Sequence, residues 1–63
     1  MKYQINDIVV LLLDYPLGSE NNSDVIPAGE EGVIRSLIIT GNAYLVNFNG
    51  IERDVLVPET WLE

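Results

Sequence analysis

EGVIRSLIITGNAYLVNFNGIERDVLV, residues 31–57, reads as three consecutive antiparallel strands. Gly41-Asn42 stands between two apolar, β-branched runs, and Asn49-Gly50 interrupts the pattern again one strand later. Such dipeptides supply the positive-φ residues that two-residue hairpins need, so the stretch predicts a meander with two tight turns. The first strand starts after Gly32, with Val33, Arg35 and Leu37 on one face and Ile34, Ser36 and Ile38 on the other. A bulge near residues 35–37 would let Val33 and Ile38 both reach the core. In the second strand Tyr44, Val46 and Phe48 form the core face, with Ala43, Leu45 and Asn47 opposite. The third sets Ile51, Arg53, Val55 and Val57 against Glu52, Asp54 and Leu56. Arg53 is expected near the hairpin end, where its stem packs and its head reaches water.

Upstream, Tyr3 and Ile5 alternate with Lys2 and Gln4 as an extended lead-in. Residues 8–13 (IVVLLL) are apolar on both faces, the pattern of a strand covered on both sides. By analogy with the later strands, Val9 and Leu11 are expected inward, leaving Ile8, Val10 and Leu12 outward. Residues 14–30 are dense in Pro, Gly, Asn and Ser and show no helical period. A connection of that length in a small domain folds back as an irregular hairpin or is functional. Val25 and Ile26 suit its return arm, and Asn21-Asn22-Ser23 is read as ordinary loop sequence. Downstream, Pro58-Glu59-Thr60 ends the last long strand in a single 3-10 turn, since Pro suits a first helical position and cannot continue a ladder. Trp61 and Leu62 then form a stub able to close the sheet against the first strand.

The chain has 63 residues and no Cys or His, so disulfides, thiolate zinc sites and imidazole chemistry are excluded. One domain, residues 1–63, is expected. Hydrophobic residues make up 48% of it, too many for disorder of the highly charged, weakly hydrophobic kind. They are also more than a domain of this size is expected to hide, which points to a partner surface or a homo-oligomer. Ten acids against three bases leave a net charge of −7, which repels nucleic acid and anionic membranes and favours basic partners. Residues 8–13 are the longest apolar run, far short of the ~20 residues a membrane-spanning helix needs. With no small-residue cleavage site and acids on both sides, that run is not expected to be a signal peptide. A cytoplasmic location is therefore expected.

Acid–base catalysis would have to come from carboxylates or tyrosines. Glu30-Glu31 and Glu52-x-Asp54 are pairs by count alone, on turn or outward positions that are ordinarily solvated, so no enzyme is expected. Asp14, Glu20, Asp24 and Glu30 share the long loop, but their spacing matches no calcium loop, and no metal or cofactor is expected. Tyr15, Pro16, Leu17, Pro58 and Trp61 form an aromatic-plus-proline group at which the loop start and the chain end can meet. The structural alternative is that Trp61 seals the bottom of a barrel and Tyr15 packs beneath the long loop.

The segments Asp7-x-Val9-Val10-Leu11, Pro27-Ala28-Gly29-x-x-Gly32-Val33-Ile34, Tyr44-x-Val46-x-Phe48 and Val55-x-Val57-Pro58, with Leu62, carry a resemblance over nearly the whole chain. It is to small bacterial stand-alone SH3-like barrel proteins of uncharacterised function. Their barrel is related in shape to an accessory protein of photosystem I and to the beta chain of nitrile hydratase. The resemblance implies an all-β, SH3-like small barrel of five antiparallel strands, with a long first loop and a 3-10 turn before the last strand. It implies no catalytic residues. Leu13-Asp14-Tyr15-Pro16 also resembles the opening of peptide-binding SH3 domains, and Pro58 stands where their groove proline does. Their tryptophan pair is replaced here by Tyr44-Leu45-Val46, and Trp61 is the sole tryptophan. The expected function is a non-enzymatic interaction or accessory module that docks a basic protein or peptide. Tyr15, Pro16, Leu17 and Trp61 would provide the contact, and Asp14, Glu20, Asp24 and Glu30 the attraction. An inhibitor that occludes a basic enzyme, for instance by imitating the charge of DNA, and a self-assembling barrel are the alternatives.

Overall fold

The computed structural model describes residues 2–16 and 25–63. Its strands, in chain order, are β1 (Ile8–Val10), β2 (Tyr15–Pro16), β3 (Val25–Ile26), β4 (Glu31–Ile38), β5 (Ala43–Phe48) and β6 (Val55–Pro58). Two single 3-10 turns, Ile39–Gly41 and Glu59–Trp61, follow β4 and β6. The fold is all-β. One four-stranded antiparallel sheet has the order β1-β4-β5-β6, and β2 pairs with β3 as a separate hairpin. Val25 and Ile26 form the return arm, opposite Pro16 and Tyr15.

The strand period determines the core. Val9, Leu11, Ile34, Tyr44, Val46, Phe48, Val55 and Val57 point to one side and are buried, joined by Ile26 and Leu62. The expected inward faces of β5 and of residues 8–11 are those observed. In β4 the buried residue is Ile34, not Val33. Gly32 explains this: a Cβ there would lie 2.6 Å from Val46 Cγ1 and 2.8 Å from Phe48 Cδ1. The inner face of β4 thus begins at Gly32, and Ile34 follows on the same side. A register shift between Ile34 and Ser36 then skips Arg35. The bulge brings Leu37 back over the core, while Val33 and Ile38 lie on the other face.

The first hairpin connection differs from the two-residue turn expected, and the second keeps its Asn49-Gly50 turn but not the strand expected after it. After Ile38 the chain makes the 3-10 turn, and Asn42 alone adopts left-handed geometry (φ 48°, ψ 49°) before Ala43 re-enters the ladder opposite Ile38. Asn tolerates that conformation because its short side chain clashes little, so Gly41 is not needed for it. At the second connection the Ile51 N–H donates to the Phe48 carbonyl at 3.1 Å, and Gly50 supplies the positive φ (80°). Ile51 then packs against the core, and Asn47 Nδ2 reaches its carbonyl, so pairing resumes only at Val55. The expected strand over residues 51–54 does not form, and Arg53 lies exposed outside the ladder.

The ends are also more irregular than alternation predicts. Tyr3 packs on the core, but Ile5 is exposed because Gln4–Asp7 closes a turn with Asn6 at φ 76°. β1 stops after three residues, and Leu12 and Leu13 turn outward. A single bridge joins Leu11 to Leu62. It is flanked by reciprocal Val10–Glu63 bonds at 2.9 Å and by the Leu12 N–H on the Trp61 carbonyl at 2.8 Å. The terminal stub thus meets β1 through one bridge, and neither sheet closes on itself among the described residues.

Gly32→Ala is expected to lower stability by about 1–3 kcal/mol, because the added methyl must displace two side chains held in a packed core. Gly41→Ala meets open space and no positive φ, and should be neutral or stabilising by up to about 1 kcal/mol. Urea unfolding of both variants checks the pair. Equal losses would contradict the close approach at Gly32.

Candidate functional site

The groove begins with the outward side of the sheet. Beyond the bulge, Ile38, Ala43 and Pro58 stand opposite one another across β4, β5 and β6. Ala43 is the small residue of that row and leaves a depression between its neighbours. Tyr15 and Pro16 from β2, Leu56 from β6, Trp61 from the second 3-10 turn, and Thr40 and Gly41 from the β4–β5 connection complete an open groove of ≈ 490 Å³. None of these residues is charged. The Tyr15 and Trp61 rings meet edge to face, centroids 5.7 Å apart at 72°. The Tyr15 hydroxyl donates to the Leu56 carbonyl at 2.6 Å, tying the hairpin to β6. Leu56 keeps 51% of its surface exposed within this lining.

Of the residues singled out from sequence, Tyr15, Pro16, Pro58 and Trp61 line this one groove. Leu17, Glu20 and Asp24 lie outside the described residues. Asp14 is adjacent to Tyr15 in the chain, but its carboxylate accepts the Ala28 N–H at 2.8 Å and so holds the base of the loop. Glu30 is half-buried, and its carbonyl accepts the Leu11 N–H at 3.0 Å. Neither acid lines the groove. Ile38, Thr40, Gly41, Ala43 and Leu56 escaped the sequence reading: the sequence places a bulge near residues 35–37, but as one that turns Ile38 into the core rather than outward beside Ala43 and Pro58.

A polar junction holds the turn that carries Trp61. The buried Tyr44 hydroxyl accepts the Tyr3 N–H at 3.0 Å and donates to the Glu59 carboxylate. The same Glu59 oxygen accepts the Lys2 N–H at 3.1 Å, and the Tyr3 hydroxyl donates to the Leu62 carbonyl at 3.2 Å. Burial, then the Glu59 hydrogen bond, push the Tyr44 phenol above its ordinary range. The Tyr44 hydroxyl, then the Lys2 N–H, hold the Glu59 carboxyl below the ordinary carboxylate range. The sequence marks Tyr44 only as a core residue and Glu59 only as part of a turn.

Among the described residues, no three acidic side chains gather as a metal site, and no helix is long and apolar enough to cross a membrane. No family model, curated protein or solved structure matches the chain.

The two shifts have opposite signs in pH. Because Glu59 is depressed in the fold, its contribution is present above the ordinary carboxylate range and is lost as pH falls through its folded value. Because Tyr44 is raised, its contribution is present below the ordinary phenol range and is lost as pH rises through its folded value. The stability difference between the native chain and Tyr44→Phe should therefore be widest near neutrality and narrow at both extremes. Urea midpoints across the pH range measure it, and a difference independent of pH would contradict the junction.

Proposed function

We propose that the chain is a non-enzymatic docking module of SH3-like small-barrel architecture whose groove receives an apolar segment of a basic protein or peptide. The observation that carries this reading is the open, uncharged groove, walled by two aromatic rings and floored by apolar side chains. Rigid aromatic and proline surfaces of this kind contribute contact area at little entropic cost. Support for the architecture comes from the three-strand meander, the long looped hairpin, the 3-10 turn after β6 and the bridge from Leu11 to Leu62. None of the described acids lines the groove, which separates the roles: acids accelerate encounter and apolar residues set residence time. Occlusion of a basic enzyme would use the same surface. A cytoplasmic setting fits the lack of cysteine.

Self-association is the second reading, and a different surface favours it. Ile8 is 70% exposed and stands opposite the half-buried Val33 on the outer face of β1 and β4. Sedimentation over a range of concentrations would show a rising mass if that face pairs two copies.

The docking reading is tested by titrating short peptides that carry an apolar or proline-rich centre flanked by Arg or Lys, followed by Trp61 fluorescence. Saturable binding is expected, with association that slows as salt rises. Leu56→Lys is expected to weaken binding by about tenfold or more, the scale at which truncating a central contact is felt, while leaving the fold intact. Binding that ignores Leu56→Lys would remove the groove from the reading.

A further inference from the structure

Glu59 stands where the two segments flanking the groove meet. Its N–H donates to the Asn42 carbonyl at 2.9 Å, which joins it to the connection whose Thr40 and Gly41 line the groove. Its carbonyl accepts the Leu62 N–H at 3.1 Å, which shapes the turn that presents Trp61. Its carboxylate accepts two donors, the Tyr44 hydroxyl from the core and the Lys2 N–H from the first residues of the chain. Among the described residues these bonds hold the turn together with the Leu12 N–H on the Trp61 carbonyl, the Tyr15–Trp61 ring contact and the bridge from Leu62 to Leu11. None of the turn's three residues is buried, and Pro58 before it offers no side-chain cap. Through its own bonds the Glu59 carboxylate links the turn to the core at Tyr44 and to the backbone of residue 2.

We propose that Glu59 is a positioning residue for the groove: its carboxylate, held by Tyr44 and by residue 2, helps set the orientation at which Trp61 faces Tyr15. The first residues of the chain thereby become part of the groove's support without lining it. The consequence for binding rests on the docking reading given above. The positioning itself does not, because it is visible in the free protein.

The chain's single tryptophan supplies the readout. Glu59→Ala and Tyr44→Phe are compared with Phe48→Leu, a destabilising change at the other end of β5, opposite Gly32. Each variant is followed by the Trp61 indole N–H resonance and by acrylamide quenching of Trp61 emission. Both junction variants are expected to move the resonance and increase quenching, whereas Phe48→Leu loses stability with both signals unchanged. Tyr44→Phe retains the buried ring, so it reports even if Glu59→Ala does not fold. Unchanged Trp61 signals in the junction variants, or equal changes in Phe48→Leu, would overturn the proposal. A failure of peptide binding in the native chain would instead count against the docking reading alone.

Discussion

The distance between β4 and the inner side chains of β5 controls the rest of this structure. Gly32 lies against Val46 and Phe48 with no room for even a methyl group. That contact fixes which side of β4 is the inside, and the antiparallel register carries the choice across to β5 and β6. Because side chains alternate with a period of two, a single wrong step would turn the whole buried set to solvent. Among the described strands, the bulge at Arg35 is the one place where the phase changes. It has two effects: Leu37 returns to the core, and Ile38 is left facing out beside Ala43 and Pro58. The groove is therefore the outer side of the same step that packs Leu37 into the core.

What could be read from the chain followed from strong local patterns. Tyr44, Val46 and Phe48 alternate cleanly and lie where alternation puts them, as do Val9 and Leu11. Pro58 ends its strand because it has no N–H to give, and the turn after it follows. The misreadings came where a contact distant in sequence overrode a local preference. Gly41-Asn42 has the composition of a two-residue turn, yet the register set by the bulge places Ala43 opposite Ile38 and leaves four residues to span. Ile51 looks like a strand residue, but its place against the core keeps it out of the ladder. The Tyr44–Glu59 junction had no sequence signal, since a tyrosine and a glutamate this far apart are joined only by the path of β6.

At the groove, charge and apolar surface are kept apart. Among the described residues the groove lining carries no acid, and the acids near it are engaged in loop and turn geometry: Asp14 with Ala28, Glu59 with Tyr44 and Lys2. A carboxylate desolvated on the lining would resist burial by any partner, so its absence lowers the cost of covering that surface. The diffuse negative field acts at longer range and needs no fixed partner.

The joining of Leu11 to Leu62 also has a kinetic meaning. The β4–β5 and β5–β6 pairs bring together residues close in sequence and can form early, whereas the bridge spans nearly the entire chain. Closing so large a loop is entropically costly until neighbouring structure brings its ends close. The meander is thus the natural nucleus, and the N-terminal strand docks onto it afterwards. On a ribosome that final step must wait for residues 62 and 63 to emerge, and until then the apolar run at residues 8–13 lacks its last neighbour.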